Sequence, residues 1–74
     1  MSTIAVKSDV AGTVWQIHVR EGDVIEEDQT LIVMESMKME IPLMAAESGR
    51  VVSVLVTEGE VVKDGQEVLL MECD

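Results

Sequence analysis

Aromatic residues are nearly missing from this chain: it has no phenylalanine and no tyrosine, and Trp15 is its single tryptophan. A core built almost without rings must be filled by aliphatic side chains. Valine and isoleucine supply much of the 47% that is apolar, which favours strands over helices. Basic residues are scarce as well. Five lysines and arginines face fifteen aspartates and glutamates, for a formal net charge of −10. The positive footprint of a nucleic-acid binder is therefore missing, and an anionic membrane surface would repel the chain. A single cysteine, Cys73, excludes an intrachain disulfide. Neither a charged-then-apolar leader nor a long apolar run is present. These absences lead to the expectation of a cytoplasmic protein, soluble, monomeric by itself, and without nucleic-acid or membrane partners. At 74 residues there is room for one domain, spanning 1–74, and so short a chain must use a compact, regular fold to bury enough surface.

What is present is a duplication. Shifting the chain by 37 residues lays Gly12-Thr13-Val14-Trp15-Gln16-Ile17-His18-Val19-Arg20-Glu21-Gly22-Asp23-Val24 onto Gly49-Arg50-Val51-Val52-Ser53-Val54-Leu55-Val56-Thr57-Glu58-Gly59-Glu60-Val61. Gln29 then meets Gln66, Met34 meets Met71, Glu35 meets Glu72, and Ile4 meets Ile41. Solenoids need three or more repeats to bury their faces, so two copies, 1–37 and 38–74, imply a closed pair packed on each other. Trp15, Ile17 and Val19 alternate with Gln16, His18 and Arg20, and Val52, Val54 and Val56 alternate likewise. That period of two predicts half-buried strands with the odd positions inward. Glu21-Gly22-Asp23 and Glu58-Gly59-Glu60 supply turns before the apolar pairs Val24-Ile25 and Val61-Val62. Asp28 and Gly65 occupy equivalent places in the next turns, where both residue types tolerate left-handed backbone. Strands follow from Thr30 to Glu35 and from Glu67 to Glu72. Four short strands per half predict an all-β fold. The expected form is a flattened barrel or sandwich of two four-stranded antiparallel sheets with pseudo-twofold symmetry, a barrel-sandwich hybrid.

Catalytic chemistry has little to work with. His18 is the one histidine, falls on the outward face and has Leu55 as its repeat partner, which marks it as an exposed strand residue. Cys73 reads as a tail residue with no activating neighbour. The carboxylates between Glu21 and Asp28 lack the spacing of a calcium loop. We expect no catalytic residue and no metal site.

The midpoint of the chain carries the most specific signal, Glu35-Ser36-Met37-Lys38-Met39-Glu40. A long-stemmed primary amine is flanked there by two flexible thioethers, with an acid beyond each. Under the 37-residue shift, the Met37-Lys38 junction corresponds to the chain ends, Asp74 and Met1. Lys38 is thereby predicted to sit on a hairpin tip at one end of the molecule, with both termini at the other. Lys7 and Lys63 lie outside this hairpin and lack flanking methionines.

Met37-Lys38-Met39 in this duplicated setting resembles the attachment site of the biotinyl/lipoyl attachment domain family, over nearly the whole chain. The free-standing, thumbless biotin/lipoyl attachment proteins and the carboxyl carrier domains of acyl-CoA carboxylases look closest. Ser36 stands where many members carry alanine, and Ser8 to Gly12 replaces a proline-rich lead-in. The resemblance implies a non-catalytic carrier whose Lys38 is biotinylated by a biotin protein ligase. It also implies that the tethered biotin takes up CO2 at a biotin carboxylase and delivers it to an acceptor at a carboxyltransferase. Met37 and Met39 are assigned by it to ligase recognition; Glu35 and Glu40 beside them read either as charges that help the ligase discriminate partners or as a solvated hairpin rim. Plain strand or turn packing of both methionines, on the face opposite Lys38, is the plainer reading. Lipoate on the same lysine is the alternative cofactor, and attachment of both groups stays open, as does the choice between a free-standing carrier and a domain of a larger enzyme.

Overall fold

The offset that aligns the two halves also relates their strands in the computed structural model, which describes residues 2–73. Strands β1 (Ser2–Lys7), β2 (Gly12–Ile17), β3 (Val24–Ile25) and β4 (Thr30–Ser36) form the first half. The second half repeats them as β5 (Met39–Met44), β6 (Gly49–Val54), β7 (Val61–Val62) and β8 (Glu67–Cys73). The described residues form no helix, in keeping with a β-branched apolar set that packs well on pleated surfaces. One sheet has the order β1-β8-β6-β3 and the other β5-β4-β2-β7, all antiparallel. Exchanging each strand with its repeat partner turns either order into the other. The pseudo-twofold predicted from sequence therefore swaps the two sheets.

Central strands β4 and β8 hold the middle of the core. Leu31, Ile32 and Met34 of β4, together with Val68, Leu69 and Met71 of β8, are buried with Val14, Val51, Ile25 and Val62 in one cluster. Four consecutive buried residues, Leu31 to Met34, exceed what a strand with one dry face allows. The register explains them. Thr30 pairs with Met44 and Ile32 with Leu43, so Leu31 is an extra residue, and an irregularity at the pairing of Lys7 with Glu67 leaves Val68 in the same situation. Such bulges re-aim side chains and deepen the twist.

A second pair of bulges corrects the expected strand parity. Val14 pairs with Met34 but Gln16 pairs with Val33, leaving Trp15 as the extra residue; Val52 is its counterpart between Val51 and Ser53. Val14 and Val51 point into the core at 1% exposure, whereas Trp15 and Val52 are 43% and 40% exposed. Ile17, Val19, Val54 and Val56 keep the inward orientation expected of them. The molecule's lone aromatic ring is thus displayed, and the core is wholly aliphatic but for thioether and thiol.

Turn chemistry obeys the repeat closely. In each of four turns the backbone N–H of the first residue donates to the side chain three residues on: Arg20 to Asp23 and Glu26 to Gln29, then Thr57 to Glu60 and Lys63 to Gln66, at 3.0–3.1 Å. Gly22 and Gly59 have φ of 92° and 91°, and Asp28 and Gly65 have φ of 69° and 84°, so the left-handed turn expected at 28 and 65 is formed in both copies.

Pairing also fixes the ends of the molecule. Ser2 is opposite Cys73, and β1 runs from there to Lys7, beyond which Ser8 to Ala11 lead to Gly12. A Cβ placed on Gly12 would lie 2.5 Å from the Glu35 carbonyl oxygen and 3.2 Å from the Ser36 Cβ, so Gly12 lies against the end of β4. The β4–β5 tip and the Ser2/Cys73 strand ends therefore occupy opposite ends of a body about 36 Å long and 18 Å wide. Met1 and Asp74, on which the symmetry argument placed the chain ends, lie outside the described residues.

Gly49 repeats the arrangement, pressed against the Glu72 carbonyl and Cys73. Alanine at either glycine forces backbone apart rather than displacing a flexible side chain. Gly12→Ala and Gly49→Ala are each expected to lower stability by about 2 kcal/mol, read as a reduced urea midpoint at unchanged slope.

Candidate functional site

The candidate site is built by a register that leaves no slack. Met34 pairs with Ile41, Glu35 with Glu40 and Ser36 with Met39, so two residues, Met37 and Lys38, must reverse the chain. A two-residue connection of the I′ form, which matches strand twist, has positive φ at both positions. Met37 and Lys38 have φ of 51° and 65°. Sequences that relax this turn carry Asn-Gly, Asp-Gly or Gly-Gly, whereas L-residues with a Cβ pay roughly 1–2 kcal/mol each for left-handed backbone. The tip is accordingly strained at two adjacent residues, and neither is a turn former. Of the described non-glycine residues, only Asp28 shares this positive φ.

Strain and display coincide. Met37 is 92% exposed and Met39 63% exposed, and Lys38 is exposed between them. No hydrogen bond or ion pair joins the Lys38 ammonium to another described residue. Met37 is a turn residue outside the strand alternation, and its exposure departs from the strand or turn packing that was the plainer reading. Met39 opens β5 opposite Ser36, on the face that continues inward through Ile41 and Met34, but the core ends before reaching it. Two exposed thioethers thus bracket one exposed amine.

Glu35 and Glu40 lie directly across from each other on the outer face, in a row completed by Thr13 and Val61. Like charges so placed oppose each other, and no ion pair with a described residue offsets them. Their repeat counterparts differ: Glu72 lies between Thr3 and Arg50. The acidic pair is a property of the tip and not of the fold. The other sequence candidates lie elsewhere. His18 is exposed, with Nε2 2.9 Å from Gln16 Oε1. Lys7 closes β1 opposite Glu67, and Lys63 begins the turn that Gln66 caps. Cys73 is not the tail residue expected from sequence: it ends β8 in the core at 4% exposure. Among the described residues no three His, Cys, Asp or Glu side chains are arranged to hold a metal ion.

Sequence reasoning passed over Gly12, which lets β2 approach the last turn of backbone before the tip. The signal was available in its repetition as Gly49. Chemically, the arrangement offers one unencumbered primary amine on a long stem, held at the narrow end of a rigid body. An exposed primary amine of this kind is a nucleophile open to covalent acylation.

Comparison with known proteins agrees with this fold. The family model described as biotin-requiring enzyme matches residues 2–71. The chain is 48% identical over 48 residues to the biotin/lipoyl attachment protein of Bacillus subtilis (strain 168), a match covering 65% of this chain and 66% of that protein's length. A single-chain, multi-domain long-chain acyl-CoA carboxylase contains a segment that superposes with a TM-score of 0.92 at 36% identity, covering 97% of this chain and 7% of that one. The lipoyl domain of the 2-oxoglutarate dehydrogenase complex from Azotobacter vinelandii shares the fold, with a TM-score of 0.73 at 22% identity over 85% of this chain and 80% of that domain.

Replacing the strained pair by favoured turn residues separates folding from display. The double variant Met37→Asn, Lys38→Gly is expected to be more stable than the parent by about 1 kcal/mol. In a domain of this size that raises the thermal midpoint by roughly 4–8 °C, measurable by circular dichroism.

Proposed function

This chain belongs to the biotin/lipoyl attachment family, and on that premise we propose that it is a biotin carboxyl carrier modified on Lys38. The observation that carries the reading is the tip itself: an exposed amine on a strained two-residue turn, bracketed by exposed Met37 and Met39. In this role Lys38 Nζ, once deprotonated in a biotin protein ligase, attacks the activated carboxyl carbon of biotin, forms an amide and releases the activating nucleotide. The chain contributes presentation and reach. Its rigid β4–β5 hairpin fixes the stem, while the side chain extends away from the strand ends at Ser2 and Cys73. Biotin supplies the group that accepts and donates CO2 once it is attached. Tethering gives that group a high effective concentration at each site it can reach, here a biotin carboxylase and then a carboxyltransferase. The domain itself is non-catalytic in this scheme.

Met37 and Met39 meet the ligase. Their unbranched, polarizable side chains adapt to an apolar pocket, and their exposure leaves both available. Glu35 and Glu40 add charge discrimination at the rim. The Met-Lys-Met string favours biotin over lipoate, and the 36% identity to a carboxylase segment supports the carboxyl carrier reading. Lipoate attachment to Lys38 is the second reading, supported by the shared fold.

Co-expression with a biotin protein ligase tests the assignment by intact mass. The parent is expected to gain one biotinyl group, and Lys38→Ala none; no gain on the parent, or an equal gain on the variant, overturns it. Incubation with a lipoate ligase is expected to leave the mass unchanged. Met37→Ala and Met39→Ala are each expected to slow biotin incorporation by roughly tenfold, the loss of about 1.4 kcal/mol of apolar contact.

A further inference from the structure

The described methionines divide into a buried set and an exposed one. Met34 and Met71 are 0% and 1% exposed in the core, while Met37, Met39 and Met44 are 92%, 63% and 54% exposed. The repeat makes the contrast sharper, because Met34 and Met71 are equivalent to each other and the exposed three are equivalent to no other described methionine. Met44 sits at the far end of β5, opposite Thr30. It lies five residues along the strand from Met39, about 17 Å at the usual rise. Only Met37 and Met39 adjoin Lys38.

An exposed thioether is oxidised by peroxides far more readily than one sealed in a core. The reaction balances simply. The sulfur attacks the peroxide oxygen, the O–O bond breaks, one oxygen atom stays on sulfur as the sulfoxide, and the remainder leaves as water or an alcohol. Sulfur loses two electrons and the peroxide gains them. The product is polar and chiral where the thioether was apolar and adaptable, which is the change that disrupts methionine-rich recognition surfaces. Nothing in the fold opposes it at the tip, since neither Met37 nor Met39 belongs to the buried cluster.

We propose that Met37 and Met39 are peroxide-sensitive modification sites, and that their conversion to sulfoxides slows attachment of the cofactor to Lys38. The inference rests on the reading of Lys38 as the biotin acceptor and adds a chemical control on it. Apo protein made under oxidising conditions would wait unmodified until methionine sulfoxide reductases restored the thioethers. Attachment would then follow the peroxide history of the protein as well as the supply of biotin.

The test uses the full, unmodified chain treated with hydrogen peroxide and quenched with catalase. Peptide mass mapping follows each sulfoxide, and intact mass follows biotin incorporation by a biotin protein ligase. Met37 and Met39 are expected to oxidise before Met34 and Met71, with the melting temperature little changed. Incorporation is expected to fall roughly tenfold and to recover after treatment with both methionine sulfoxide reductases. In the Met44→Leu variant, incorporation is expected to fall on oxidation as it does in the parent. Full incorporation rates with both tip sulfoxides formed, a loss that the reductases do not reverse, or oxidation of the core methionines first would each overturn the proposal. Absence of incorporation into the reduced protein would instead overturn the reading of Lys38 itself.

Discussion

Mutual burial of the two central strands is the constraint on which the rest depends. β4 and β8 each put an isoleucine or leucine and a methionine into the same aliphatic core, and each adds a bulged residue, Leu31 or Val68, to the same cluster. With hardly any aromatic side chain available, that core is thin, and every β-branched contact counts. A one-residue slip in either strand would turn its buried set outward. The registers of β5 against β4 and of β1 against β8 follow from it, and so does the length of the connection at the tip.

Strain at Met37 and Lys38 is the local consequence of that global requirement. The core dictates that Ser36 faces Met39, two residues must therefore turn the chain, and the turn demands left-handed backbone from side chains that disfavour it. A stable fold absorbs this cost at one point. Strained residues held in place by their surroundings are a recognised mark of sites with a task beyond folding. The pseudo-twofold supplies an internal comparison. At the other end of the molecule, where the symmetry calls for the same hairpin, Arg50 lies beside Glu72 and Cys73 is buried. Among the described residues, exposed methionine, exposed lysine and an unrelieved acidic pair occur together only at the β4–β5 tip.

Much of this was legible in the sequence because repetition doubles each signal. The 37-residue shift indicated eight strands in two sheets, and it also located the left-handed turns at Asp28 and Gly65. Lys38 was marked by its neighbours and its place on the symmetry junction. What escaped were the bulges. Alternation along Trp15, Ile17 and Val19 reads as one face, but the extra residue at Trp15 reverses parity, so Val14 enters the core and the indole stays out. No residue type announces a bulge of this kind. Cys73 was misplaced for a related reason: closeness to the end of a chain suggests exposure, yet strand pairing with Ser2 draws it inside. The left-handed turn at Met37-Lys38 was illegible because local preference argues against it, and tertiary register overrides that preference.

If display by this turn is what makes Lys38 the acceptor, then moving the amine by one residue must matter. The most direct measurement is biotin incorporation, by peptide mass mapping, into the double variants Lys38→Ala, Met37→Lys and Lys38→Ala, Met39→Lys after exposure to a biotin protein ligase, with the fold checked by nuclear magnetic resonance. Both variants should fold as the parent does and take up almost no biotin. Modification of a displaced lysine at the parent's rate would contradict the account, because the amine would then be recognised without the geometry that presents it.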